Sequence, residues 1–188
     1  KELKINHPEE IYGYRYITSE KTAYFPNNSR IIFQACDTAE DAEKIQGIEG
    51  QFIIIDEAEH LEALTILKFT ASLRSSESND FIPTLLMTGN PGGQCNEYLK
   101  TYYVQPDYSR WNSYELKYKD KHVFVHAKLE DNPSVNEEYR SQLEMLPEEW
   151  RRMWLEDDWD LYQGQFFTEW NSDKHVVATF DPPKNWIR

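Results

Sequence analysis

The chain has 188 residues, room for one ordinary domain or one domain with an appendage. It carries 33 acidic against 20 basic side chains, a formal net charge of −13, which excludes nucleic-acid binding through an overall basic surface but leaves room for a local basic patch. With 39% hydrophobic and 14% aromatic residues a core is feasible and a disordered acidic tail is excluded.

The longest strictly apolar run, Phe52–Ile55, falls far below the roughly 18–20 residues of a membrane span, and the opening residues show no basic-then-apolar signal pattern. Cys36 and Cys95 lie far apart with no C-x-x-C, so they read as reduced thiols of a cytosolic protein rather than a disulfide framework or zinc module. Opening on Lys1 rather than Met, the chain reads as a piece of something longer.

In chain order, Tyr12–Thr18 and Thr22–Tyr24 are β-prone and read as a hairpin, and Pro26-Asn27-Asn28-Ser29 is a strong turn before a strand over Arg30–Cys36. Asp37–Ile45 is polar and reads as a loop or short helix. Phe52–Ile55 is apolar without alternation, the pattern of a strand buried on both faces in a parallel sheet. Ala58–Leu73 has a helical period, with Leu61, Leu64 and Lys68 on one side and Ile66, Phe69 and Leu73 on another. Arg74–Asp80 is a Ser-rich loop; Ile82–Met87 is a second short apolar strand, and Gln94–Tyr103 a helix.

His122–Ala127 alternates and predicts a third strand. Ser134-x-x-Glu137 is a capping box opening a helix through Val135, Tyr139, Leu143 and Leu146. Pro147 suits the first turn of the next helix, whose Glu148 and Glu149 favour its N-terminal dipole and whose Trp150 and Trp154 continue the packing stripe. Val176–Phe180 predicts a last strand before Pro182-Pro183. Glu130 to Asp160 holds eleven acids and three arginines, eight of the thirteen net negative charges, and reads as a solvated helix face. Strands alternating with helices over the first two thirds indicate an α/β fold.

The chemistry concentrates at two strand ends. Phe52–Ile55 runs into Asp56-Glu57, which delivers two carboxylates to the carboxyl edge of a sheet, where α/β proteins bind ligands. There one carboxylate can hold Mg²⁺ through water while its neighbour orients or deprotonates an attacking water; the competing reading is a solvated acidic turn. Thr84–Met87 runs into Thr88-Gly89-Asn90, and the 33 residues from Glu57 to Asn90 hold a helix, a loop and a parallel strand, which brings Asn90 to the same edge. An amide there can sense a γ-phosphate; the competing reading is a Gly-Asn-Pro-Gly-Gly turn. Glu57-x-x-His60 has the spacing of a carboxylate–histidine metal pair, but the second pair that such a site needs is missing. His7, His122, His126 and His175 are scattered.

Phe52–Glu57 resembles the Walker B strand of P-loop ATPases with a catalytic Glu after the Asp. Thr88-Gly89-Asn90 resembles the coupling motif of the large terminase subunit of tailed bacteriophages. Leu129-Glu130-Asp131-Asn132-Pro133, followed by Tyr139, Leu143, Trp150, Trp159, Gly164 and Phe166–Trp170, is similar to the same family after its ATPase core, so the likeness runs from about Ser29 to Trp186.

The resemblance implies an α/β, P-loop-type (ASCE) core with a mainly parallel sheet over residues 1–128, a helical linker subdomain over 129–170, and a linker over 171–188 leading to a nuclease domain. It implies Asp56 as the Mg²⁺-side carboxylate, acting through water, and Glu57 as the catalytic one. Thr88, Gly89 and Asn90 then form the nucleotide-sensing segment of an ATP-driven motor. The implied partners are double-stranded DNA, the portal protein, the small terminase subunit and further copies in a ring, with no membrane. The implied place is the host cytoplasm at the capsid portal vertex. Asp173 and Asp181 read as structural or solvated. No G-x-x-x-x-G-K-[ST] phosphate loop occurs in the chain, so these 188 residues alone are expected not to turn over ATP. Two rivals remain. Asp56-Glu57-Ala58-Glu59-His60 resembles the second motif of DEAH-type helicases, although Thr88-Gly89-Asn90-Pro91 departs from their Ser-Ala-Thr-like strand end. A non-catalytic interaction module is the other.

Overall fold

The computed structural model describes residues 12–36, 41, 43, 47–74, 82–161 and 172–180. The chain divides into two compact units, Lys1–Lys44 and Ile45–Arg188.

The first unit is built on an antiparallel meander of β1 (Arg15–Ile17), β2 (Thr22–Tyr24) and β3 (Arg30–Ile32). The predicted turn closes because Asn27 Oδ1 accepts from the backbone N–H of Ser29 at 3.1 Å and from its hydroxyl at 2.6 Å. Ala23 is buried at the centre, and the Tyr14 and Phe25 rings pack 5.7 Å apart. The third strand ends at Ile32 rather than Cys36, and most of the 37–45 stretch lies outside the described residues.

In the second unit β4 (Phe52–Ile55) and β5 (Thr84–Met87) pair in parallel, with Phe52 opposite Thr84 and Ile55 opposite Met87. Side chains alternate across a strand, so Ile53, Ile55, Leu85 and Met87 share one face. Onto it pack Ile66 and Phe69 of α1 (Ala63–Ser72), Leu99 of α2 (Asn96–Leu99), and Trp159. The expectation of a strand buried on both faces is corrected here. Phe52 and Ile54 are 51% and 61% exposed, because the helices cover only the Ile53–Ile55 side.

The helix predicted over Ala58–Leu73 forms in two pieces, a 3₁₀ turn at Ala58–His60 and then α1, separated by an extended Leu61. Ile66 and Phe69 are the core side, and Leu64 points away. Beyond α2 the chain widens into a π turn at Lys100–Val104, so the predicted Gln94–Tyr103 helix holds in outline. A short α3 (Ser113–Lys117) follows.

Three further expectations are corrected. His122–Ala127 joins no ladder among the described residues: alternation supplies two faces, not a neighbouring strand, and Val123 and Val125 stay exposed. Val176–Phe180, after a helical turn at Ser172–His175, likewise forms no strand among the described residues and is exposed. In α4 (Glu137–Glu144) the cap is Asn136, whose Oδ1 accepts from Tyr139 N–H at 2.8 Å, while Ser134 lies upstream in an Asx turn on Asn132. Pro147 immediately precedes α5 (Glu148–Trp154), as its fixed φ favours. The buried residue of α5 is Met153; Trp150 and Trp154 pack edge to face on each other, with centroids 4.9 Å apart.

Candidate functional site

Because β4 and β5 run parallel, their carboxyl ends reach one sheet edge, and the two predicted motifs meet there. The Thr88 hydroxyl donates to Asp56 Oδ1 at 2.5 Å, and the Glu57 backbone N–H approaches Thr88 Oγ1 at 3.4 Å. The ladder extends past the strands, with Thr88 N–H donating to the Ile55 carbonyl at 2.9 Å and Ala58 N–H to the Thr88 carbonyl at 2.8 Å. Asp56, Glu57, Thr88, Gly89 and Asn90 are all exposed.

Glu57 sits at φ 53°, ψ 49°, left-handed backbone that costs a residue with a Cβ about 1–2 kcal/mol. The bonds on either side hold it there, turning the chain sharply out of the strand. One oxygen of Asp56 is engaged by Thr88 and the carboxylate is exposed, a hard-oxygen donor suited to Mg²⁺ or its water shell. No cluster of three His, Cys, Asp or Glu side chains forms a metal cage among the described residues. His60 Nε2 stands 3.8 Å from Glu59 Oε1. Asp173 falls in the Ser172–His175 turn and Asp181 outside the described residues.

Sequence reasoning passed over the residues that support this edge. Glu59 is only 4% exposed and its Oε2 is buried with no hydrogen-bond partner among the described residues. The Thr88–Gly93 loop lies directly on it. A Cβ on Gly89 would come 2.5 Å from Glu59 Oε2, and one on Gly93 would come 2.2 Å from the Glu59 carbonyl oxygen. Only glycine permits that approach. The same carbonyl accepts from Cys95 N–H at 3.0 Å, and Gln94 Nε2 donates to the His60 carbonyl at 2.5 Å.

Asn96, 2% exposed, pins the other side of the loop. Its Oδ1 accepts from Gly92 N–H at 2.9 Å, and its Nδ2 donates to the Trp159 carbonyl at 3.1 Å. Gly92 itself packs against the Met153 sulfur of α5. Lys100 pairs with Asp160 close by. The acidic strand end, the Thr88–Asn90 segment and the C-terminal helix pair therefore share one contact network. The third acid of Asp56-Glu57-Ala58-Glu59 was a visible hint of Glu59, whereas nothing local marks Asn96. Cys95 is a core group rather than a nucleophile, since burial pushes its thiol up to about 11.

A profile of the phage terminase large subunit family matches residues 11–157. Comparison with curated protein sequences finds none that matches. Among solved structures the chain is similar to the large terminase of a thermophilic bacteriophage in complex with ADP, at 18% identity and a TM-score of 0.57. That likeness covers 97% of this chain and 44% of the other, so the chain spans under half the length of the solved terminase, and at such identity the likeness speaks for the fold. The family match extends over most of the sequence and ends just after α5, and the parallel pair with its acidic edge lies inside it. With this α/β core, the chain belongs to the phage terminase large subunit family.

Proposed function

We propose that this chain is part of a DNA-packaging motor that couples ATP hydrolysis to movement of double-stranded DNA into a capsid. The observation that carries the reading is the bond from Thr88 to Asp56 across the carboxyl edge of a parallel pair, with Glu57 turned out beside it. Asp56 holds the Mg²⁺ side of the nucleotide through water. Glu57 positions or activates the attacking water, and Thr88, Gly89 and Asn90 sense the γ-phosphate and pass its loss to the loop that follows. Mg²⁺, when bound, supplies charge neutralisation on the phosphates. The thermophilic phage terminase, whose fold is similar, is in complex with ADP, which supports a nucleotide-binding role.

In this reading residues 1–128 belong to the ATPase core, 129–170 form a helical linker subdomain and 171–188 lead toward a nuclease domain. The motor works as a ring of copies at the portal vertex in the host cytoplasm, with the portal protein and the small terminase subunit as partners.

The test uses the full-length protein that carries this chain. Glu57→Gln keeps size and hydrogen bonding, so Mg·ATP affinity survives while single-turnover hydrolysis falls by roughly 10²–10⁴. Asp56→Asn weakens Mg²⁺-dependent binding instead. Asn90→Ala binds ATP but hydrolyses it, or converts it to packaging, poorly. Near wild-type hydrolysis in Glu57→Gln overturns the assignment and favours an interaction module.

A further inference from the structure

The acidity of the chain is not uniform. Residues 108–128 hold five basic side chains (Arg110, Lys117, Lys119, Lys121 and Lys128) against two acids (Glu115 and Asp120), a local charge of +3 in a chain of −13. Arg110 is engaged by Glu97. Lys117, Lys119 and Lys121 are exposed and have no carboxylate within ion-pair distance among the described residues.

They are held on aromatic rings. The ammonium groups of Lys117 and Lys121 lie 5.4 and 5.2 Å from the centroid of the same ring, Tyr118. Lys119 lies 5.5 Å from the Tyr108 centroid. Tyr108 packs edge-on against the buried Trp111, which also stacks on Tyr102 at 5.1 Å. A cation over a ring face is oriented on one side and keeps its other donors for an anion. Three ammonium groups arrayed this way, free of local ion pairs, suit a row of phosphates.

We propose that Lys117, Lys119 and Lys121 form a backbone-binding patch for double-stranded DNA. The proposal rests on the DNA-motor reading above and adds to it the surface that meets the duplex. Binding is to phosphate oxygens, so it is independent of base sequence and strongly salt-dependent.

The experiment measures binding of the 188-residue chain to a fluorescent duplex by anisotropy across a range of NaCl concentrations. Replacing Lys117, Lys119 and Lys121 together by Gln is expected to weaken binding and to flatten the slope of log K against log [salt] by about 2.7, at roughly 0.9 for each phosphate no longer neutralised. Neutralising Lys21, Lys68 and Lys174 together removes the same charge elsewhere and leaves the slope in place. An unchanged slope in the patch variant, or an equal loss in the control, overturns the patch while the wild-type slope still supports a DNA-binding chain. Absence of duplex binding by the wild-type chain overturns the patch and counts against the DNA reading itself. Tighter binding to phosphatidylserine vesicles than to duplex overturns the patch in favour of a lipid surface.

Discussion

Asn96→Asp changes an amide to a carboxyl of the same outline, and it tests whether the loop after Asn90 is pinned as described. The bond from Gly92 N–H survives, because Oδ1 remains an acceptor. The bond to the Trp159 carbonyl, 3.1 Å away, is lost, and an ionised carboxylate then faces that carbonyl in a site only 2% exposed. A lost hydrogen bond together with an unpaired buried acceptor and a desolvated charge amounts to about 2–5 kcal/mol at pH 7. The penalty depends on pH. Burial and the facing carbonyl raise the folded pKa of the new carboxyl above its unfolded value of about 3.9, so the folded state binds more protons. Stability relative to wild type is therefore highest at low pH, where the protonated carboxyl donates to Trp159, and falls as pH rises through the folded pKa. Urea unfolding followed by tryptophan fluorescence, with wild type measured beside the variant from pH 4 to 8, reads this difference directly. A variant as stable as wild type at pH 7, with no pH trend in the difference, would refute the Gly92–Asn96–Trp159 link.

Two further outcomes follow from the packing around the edge. Gly93→Ala drives a methyl to 2.2 Å from the Glu59 carbonyl oxygen, a backbone atom that cannot swing aside, and is expected to lower stability by about 1–3 kcal/mol in a thermal or urea melt. At pH 8 iodoacetamide should label Cys36 and spare Cys95 until the chain unfolds, since Cys95 is 1% exposed and its thiol is pushed up to about 11; mass spectrometry of tryptic peptides checks the order.

The strand ends show how much of the site the sequence carried by itself. Four apolar residues stopped by Asp56-Glu57, and a second apolar run stopped by Thr88-Gly89-Asn90, needed only period and composition to be read as parallel strands sharing an edge. The register bears that out. Backbone ladders are generic once both strands exist, so spacing was enough to bring Asp56 and Thr88 within bonding distance. Family membership was legible for the same reason: motif order is a property of the chain.

What tertiary structure decided is where side-chain patterns have two solutions. Phe52–Ile55 is apolar at every position, so the sequence could not say which face the helices would cover; packing of α1, α2 and Trp159 on Ile53 and Ile55 settled it. His122–Ala127 alternates well enough for a strand, but a strand needs a partner's backbone, and none of the described residues supplies one. Ser134 and Asn136 both offered a cap oxygen, and the geometry of one turn selected Asn136. Glu59 and Asn96 depended on contacts from distant parts of the chain, Asn96 reaching 63 residues to the Trp159 carbonyl. Local chemistry named the groups at the edge, and long-range contact alone decided what holds them there.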